Sequence, residues 1–179
     1  DAQSASAEAR HGMRFVARRR EWVSVLEDAR HRGELVLRPI HGDPKVNNIM
    51  IDERTGHAVS MVDLDTVKPG LVHYDIGDCL RSCCNPLGEE TEQIEDVRFD
   101  LDLCRAILEG YLSVAAEFLD PHDVAYLYTC VRLIAFELGL RFFTDHLEGD
   151  VYFKVKHRQH NLHRGLVQFK LTASIEAQE

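Results

Sequence analysis

The stretch NIMIDERTGHAVSMVDLD, residues 48–65, constrains the fold more than any other, because it is the one place where the apolar pattern becomes that of strands. Two short apolar runs, Ile49 to Ile51 and Ala58 to Val62, flank a turn rich in Asp, Thr and Gly, which predicts a β-hairpin. In an antiparallel hairpin the start of the first strand lies beside the end of the second. Asn48 is therefore expected next to Asp63, although fifteen positions separate them. The rest of the chain carries helical spacing: residues 13–30, 75–84, 97–118, 124–147 after the start signal at Pro121, and 162–175. Gly33 ends the first helix, residues 35–40 are an extended approach with Pro39 biasing Arg38 away from helix, and TVKPG (66–70) is a loop with a Pro-Gly turn. The expected fold class is mainly α with a small β-hairpin, in one globular unit. Residues 1–12, Ala- and Ser-rich, are expected to be a flexible tail or linker.

At 179 residues and 45% apolar composition the chain can bury a real core. Its 21 basic and 30 acidic residues give a formal charge of -9, which repels polyanions and argues against nucleic acid or an anionic membrane as partner. No apolar run is long enough to span a bilayer, and no targeting signal is visible. The five cysteines, Cys79, Cys83, Cys84, Cys104 and Cys130, form no Cys-x-x-Cys pair and are expected as free, mostly buried thiols of a reducing, cytoplasmic compartment. The sequence carries no signature of an oligomeric state.

RPIHGDPKVNNIMID, residues 38–52, gathers a His, two Asp, a Lys and two Asn. His41-Gly42-Asp43, Asn48 and then Asp63 follow the logic of phosphoryl transfer. One Asp accepts the proton of an attacking hydroxyl, while an Asn and a second Asp hold Mg²⁺ against nucleotide phosphates. A short loop lets Asp43 face the acceptor and Asn48, at its far end, face the metal. Asn and Asp are hard oxygen donors suited to Mg²⁺ and unsuited to a zinc cage. Asp, Asn and Gly are also common turn residues, so HGD alone would equally describe a structural turn.

HGDPKVNNIMID, MVDLDTVKPG and HYDIGDCLR, in this order and spacing, resemble the C-terminal lobe of the aminoglycoside phosphotransferase and choline kinase superfamily, which has a protein-kinase-like fold. Within it the chain is most similar to the N-acetylhexosamine 1-kinases, a likeness that includes GLRFFTDHLEGDVYF and QFKLTASIE and runs from about Met13. The resemblance implies residues 13–179 as the lobe, with a catalytic loop over 41–48, a metal-binding hairpin over 48–65 and a helical subdomain over 75–175. It implies Asp43 as catalytic base, Asn48 and Asp63 as Mg²⁺ ligands, and His41 as support for the loop. Lys45 would offset charge on the transferred phosphoryl group and contact ATP. Asp75 would brace the loop from the start of a helix, where it would also be an N-cap. Asp65 departs from the family pattern and is a candidate further metal ligand or a turn cap.

Candidates for the acceptor are Glu137, Arg141 and Asp145, with Arg81 and Tyr152 as comparable candidates. On a helical wheel Glu137, Arg141, Thr144, Asp145 and Glu148 share one face of an otherwise apolar helix, which lines a pocket or forms a solvated stripe of ion pairs. The basic run Arg18 to Arg20 reads as a solvated face, and His157, His160 and His163 as a polar surface. Only forty residues precede His41, and they contain no Gly-x-Gly-x-x-Gly, so the N-terminal nucleotide lobe is expected to be missing and the isolated chain to bind ATP poorly. The implied activity is transfer of the γ-phosphoryl of ATP to a small-molecule acceptor, a sugar or amino alcohol, most plausibly the anomeric hydroxyl of an N-acetylhexosamine. Two alternatives stay open: a non-catalytic binding module derived from such a kinase, and a metal-dependent phosphohydrolase using His41, Asp43, Asp63 and Asp65.

Overall fold

A computed structural model of the chain describes residues 6–179. The fold is mainly helical, with two small antiparallel sheets of two strands each. The chain divides into two compact units rather than the single one expected. Unit 1 comprises Asp1–Val25, Asn85–Phe99 and Arg132–Glu179, and unit 2 comprises Leu26–Cys84 and Asp100–Val131. Each unit is built from stretches far apart in sequence, which is why periodicity read along the chain did not separate them.

Unit 2 holds the polar motifs. Helix α2 (Val25–His31) leads to strand β1 (Arg38–Ile40), and a 3-10 turn over Val46–Asn48 enters strand β2 (Ile49–Ile51). Strand β2 pairs with β3 (Ala58–Met61) in the expected hairpin, Ile49 opposite Met61, with a register irregularity at Met50/Ile51. The turn is closed by Asp52, whose Oδ1 accepts from the N–H groups of Arg54 and Thr55. The segment expected as a Pro-Gly loop is instead strand β4 (Lys68–Gly70), paired with β1 so that Pro39 lies opposite Pro69. The missing N–H groups thus fall on one rung, and the rungs on either side carry the bonds. Helix α3 (Val72–Cys83) packs against β1 and α4 (Leu101–Ala115), and Leu26, Ile40, Leu71, Ile76 and Leu80 are buried in this unit's core. Asp120 begins α5 (Pro121–Ala125) with a capping box closed by Asp123.

Unit 1 contains α1 (Ala7–Ala17), most of α6 (Leu127–Glu148) and α7 (His160–Glu176). Its core is aromatic: Phe136, Phe143 and Phe169 are buried with Ala9 and Leu162, and Phe15 stacks on Phe169 at 4.7 Å between ring centroids. The expected flexible tail over 1–12 is corrected from residue 6 onward. Ser6 caps α1 by accepting from the Ala9 N–H, and Ala9 and Gly12 are buried. Small residues are what let α1 lie close to α7, and a run without large apolar side chains is easily misread as a linker. The part of the tail over residues 1–5 lies outside the described residues. The single helix expected over 13–30 is broken into α1, a 3-10 turn at Arg20–Trp22 and α2. No helix among the described residues is long and apolar enough to cross a membrane.

Candidate functional site

The loop between β1 and β2 carries His41, Asp43, Lys45 and Asn48, and three elements of unit 2 hold its shape. From α3, the Asp75 carboxylate accepts the His41 N–H at Oδ2 (2.7 Å) and the Gly42 N–H at Oδ1 (2.8 Å). Asp75 does not cap its own helix as expected: α3 starts at Val72, Leu71 is its N-cap without a side-chain bond, and Asp75 lies within the first turn. From the end of the hairpin, the Val62 carbonyl lies 2.9 Å from His41 Nε2, while His41 Nδ1 accepts the Asp43 N–H at 3.3 Å. With Nε2 donating and Nδ1 accepting, His41 links Asp43 to the strand that precedes Asp63. From the 3-10 turn Leu64–Thr66, the Thr66 hydroxyl donates to the His41 carbonyl at 2.6 Å.

Gly42 is required here twice over. Its φ is +86°, and a Cβ would sit 2.8 Å from the Thr66 carbonyl oxygen. Sequence reasoning registered Gly42 as part of a turn but not Thr66, which comes from the far side of the hairpin.

Lys45 Nζ donates to Asp43 Oδ2 at 2.5 Å, and Asn48 Nδ2 donates to the Asp43 carbonyl (2.8 Å) and to Asp43 Oδ2 (3.2 Å). The bond to Asp43 raises the Lys45 pKa above the usual ammonium range against the opposing effect of burial, with the charges of Asp43, Asp63 and Asp78 adding to it. Lys45 is therefore a cation in a field of three carboxylates. Asn48 is buried, and its backbone carbonyl accepts the Val62 N–H at 2.9 Å, so the hairpin brings the Asn48 backbone beside the residue before Asp63. Asp63 is exposed and adopts the left-handed conformation (φ 66°), with no side-chain bond to the turn it begins. Asp65 is exposed in that turn.

These donors fit a hard divalent cation. The Asn48 amide nitrogen is committed to Asp43, which leaves Oδ1 as a potential ligand, and the Asp63 carboxylate is not spent on a cap. Behind the loop, Pro44, Ile49, Met61, Ile76, Leu80 and Tyr111 line an apolar cavity of about 250 Å³ that also reaches Asp75.

The acceptor candidates divide. Arg81 belongs to unit 2, is buried, and pairs with Asp78 on the same helix at 2.7 Å. Asp78, which sequence reasoning missed, has the exposed side of that pair and acts on Lys45; its signal was the spacing of three from Asp75 along one helix face. Glu137, Arg141, Asp145 and Tyr152 belong to unit 1. Glu137 and Arg141 form an exposed ion pair at 3.7 Å, and the Arg141 guanidinium lies 6.0 Å from the centroid of the exposed Tyr152 ring. Asp145 departs from the expected polar stripe. It is buried, and accepts the N–H groups of Val151, Tyr152 and Phe153 and the Asn161 amide. Burial raises its pKa, and those backbone donors outweigh it to leave the carboxyl below its usual range. Asp145 thus shapes the turn that presents Tyr152, and its lone pairs are taken.

A carboxylate held by a lysine and an asparagine on a braced loop is a set of groups suited to group transfer. Residues 2–116, more than half of the chain, match the model of the phosphotransferase enzyme family (APH). The chain belongs to that family.

Proposed function

We propose that this chain is the base-bearing, kinase-like C-terminal lobe of an ATP-dependent small-molecule kinase. Its acceptor is a hydroxyl, and the N-acetylhexosamine 1-kinase motifs favour the anomeric hydroxyl of an N-acetylhexosamine, giving a sugar 1-phosphate. The observation that carries the reading is the Asp43 carboxylate, gripped by Lys45 and Asn48 at the mouth of a loop braced from three sides.

Asp43 accepts the proton of the acceptor hydroxyl as it attacks the γ-phosphorus, an assistance worth roughly 10² to 10⁴ in rate. Lys45 shields Asp43 before substrate arrives and carries positive charge toward the phosphoryl oxygens. Asn48 and Asp63, joined by Asp65, would hold Mg²⁺, which supplies charge neutralisation at the nucleotide phosphates. His41 keeps the Asp43 backbone registered on the hairpin. Arg81 acts through Asp78 rather than directly.

The test uses the complete protein with ATP and Mg²⁺ against N-acetylhexosamines, other sugars, amino alcohols and aminoglycosides, with phosphorus NMR reporting the position phosphorylated. An N-acetylhexosamine 1-phosphate is expected. Asp43→Asn is expected to abolish turnover while ATP binding persists; undiminished turnover would remove Asp43 from its role.

A further inference from the structure

The five cysteines are scattered from Cys79 to Cys130 in sequence, yet they gather in one region of unit 2. The Cys79 and Cys83 thiols lie one turn apart on α3, close enough to interact. The Cys84 thiol, at the end of α3, lies close enough to that of Cys104 on α4 for each to perturb the other. Cys130 lies close enough to Cys104 to sense its charge. The backbone makes the second pair a built feature. The Asp100 N–H donates to the Cys84 carbonyl at 2.8 Å, the Asp100 side chain caps α4, and the Asp100 carbonyl accepts the Cys104 N–H at 3.0 Å. One residue thus ties the end of α3, with Cys84, to the first turn of α4, with Cys104. Cys84 is fully buried, whereas Cys104 is half-buried.

We propose that Cys84 and Cys104 are an oxidisable dithiol, a modification site at which a hydroperoxide forms an intramolecular disulfide, with Cys104 as the attacking thiol and Cys84 as the resolving one. The exposure of the two groups assigns those roles, since only Cys104 is within reach of a solute. Their acidity agrees. The Cys84 side chain holds the Cys104 pKa below the usual thiol range against burial, while Cys104, then burial, pushes Cys84 up. Burial, then the neighbouring Cys83, pushes Cys79 up to about 12, and burial pushes Cys130 up, so both are poor nucleophiles.

The chemistry balances in two steps. The Cys104 thiolate attacks the hydroperoxide, an S–O bond forms, the O–O bond breaks, and the alcohol (water, for hydrogen peroxide) leaves with a proton, giving a sulfenic acid. The Cys84 sulfur, losing its proton, then attacks the Cys104 sulfur; the S–S bond forms and the oxygen leaves as water. Two thiols and one hydroperoxide become one disulfide, one alcohol and one water. The bridge closes a ring over residues 85–103 and pins the end of the helix whose first turn carries Asp75. The proposal is independent of the phosphotransfer reading, because its readout is chemical.

The folded chain is titrated with hydrogen peroxide under non-denaturing conditions, and thiols are counted and mapped by mass spectrometry without reduction. The expected result is loss of two of the five thiols, a mass decrease of two hydrogens, a Cys84–Cys104 cross-linked peptide, reversal by dithiothreitol, and a higher urea midpoint for the oxidised chain. Cys104→Ser is expected to abolish the fast reaction. Cys84→Ser is expected to stop at a Cys104 sulfenic acid captured by dimedone; if burial makes that variant fold poorly, Cys84→Ala gives the same readout. Retention of all thiols, first reaction at another cysteine, or only intermolecular cross-links would overturn the proposal.

Discussion

The Asp75 carboxylate accepts two consecutive backbone N–H groups, from His41 and Gly42, and so fixes the direction in which the chain enters Asp43. An amide cannot do this, because one of its two ends donates and would meet an N–H. Asp75→Asn is expected to lose one charge-assisted bond and create a repulsive contact, lowering stability by roughly 1.5–3 kcal/mol in urea unfolding. Turnover of the complete protein should fall with it, and a variant as stable and active as the parent would show that the brace is redundant. Thr66 gives a finer test. Thr66→Val keeps the shape and removes the bond to the His41 carbonyl, at an expected cost of about 1 kcal/mol, whereas Thr66→Ser should restore most of it. His41, Asp43, Lys45 and Asn48 were legible in the sequence because they lie on one continuous loop. Thr66 and Asp78 were not, because their partners come from across the fold, and no local spacing announces a bond between residues 41 and 66.

At the scale of elements, α1 shows how packing reverses a local preference. Gly12 lies inside this helix, where replacing glycine by alanine ordinarily stabilises by about 1 kcal/mol. Here the added Cβ would fall 2.6 Å from Phe143 Cε2, and Phe143 is itself buried against Phe169 at 5.8 Å between centroids. Gly12→Ala is therefore expected to destabilise, overpacking costing roughly 1–3 kcal/mol against the smaller helical gain; a raised urea midpoint would show that the ring can yield. The same small residues that let the helix approach made it read as a tail. The hairpin was legible because alternation and turn chemistry agreed, and the loss of β4 in the reading has a local reason. Pro-Gly signals a turn, and only the pairing of Pro69 with Pro39 converts it into a strand.

For the whole molecule, acid should act in two separate windows. His73 in unit 2 is fully buried, with Nε2 2.9 Å from the Asp123 carbonyl, and burial lowers its pKa below the ordinary 6.5 while Asp123 and Asp120 partly oppose this and Arg38 adds to it. His160 in unit 1 is lowered in the same way, by burial first, with Glu90 opposing. Both histidines are neutral when folded and free to protonate when unfolded, so their contribution is whole above pH 6.5 and is lost as pH falls through their folded values. A second window lies lower. Glu34, bonded to Arg32 and Tyr126, has a pKa lowered to about 2, so its contribution persists until pH falls below 4.5 toward that value. The urea midpoint is therefore expected to decline already between pH 7 and pH 5.5, above the range in which Glu34 loses its contribution, with a slope of up to ~1.4 kcal/mol per pH unit for each proton excluded by a buried ring. His73→Gln keeps a donor for the Asp123 carbonyl and cannot protonate, so its slope in that window should be shallower than the parent's. An unchanged slope would mean that His73 takes up its proton without unfolding, and that Asp123 and Asp120 hold the charged ring in place.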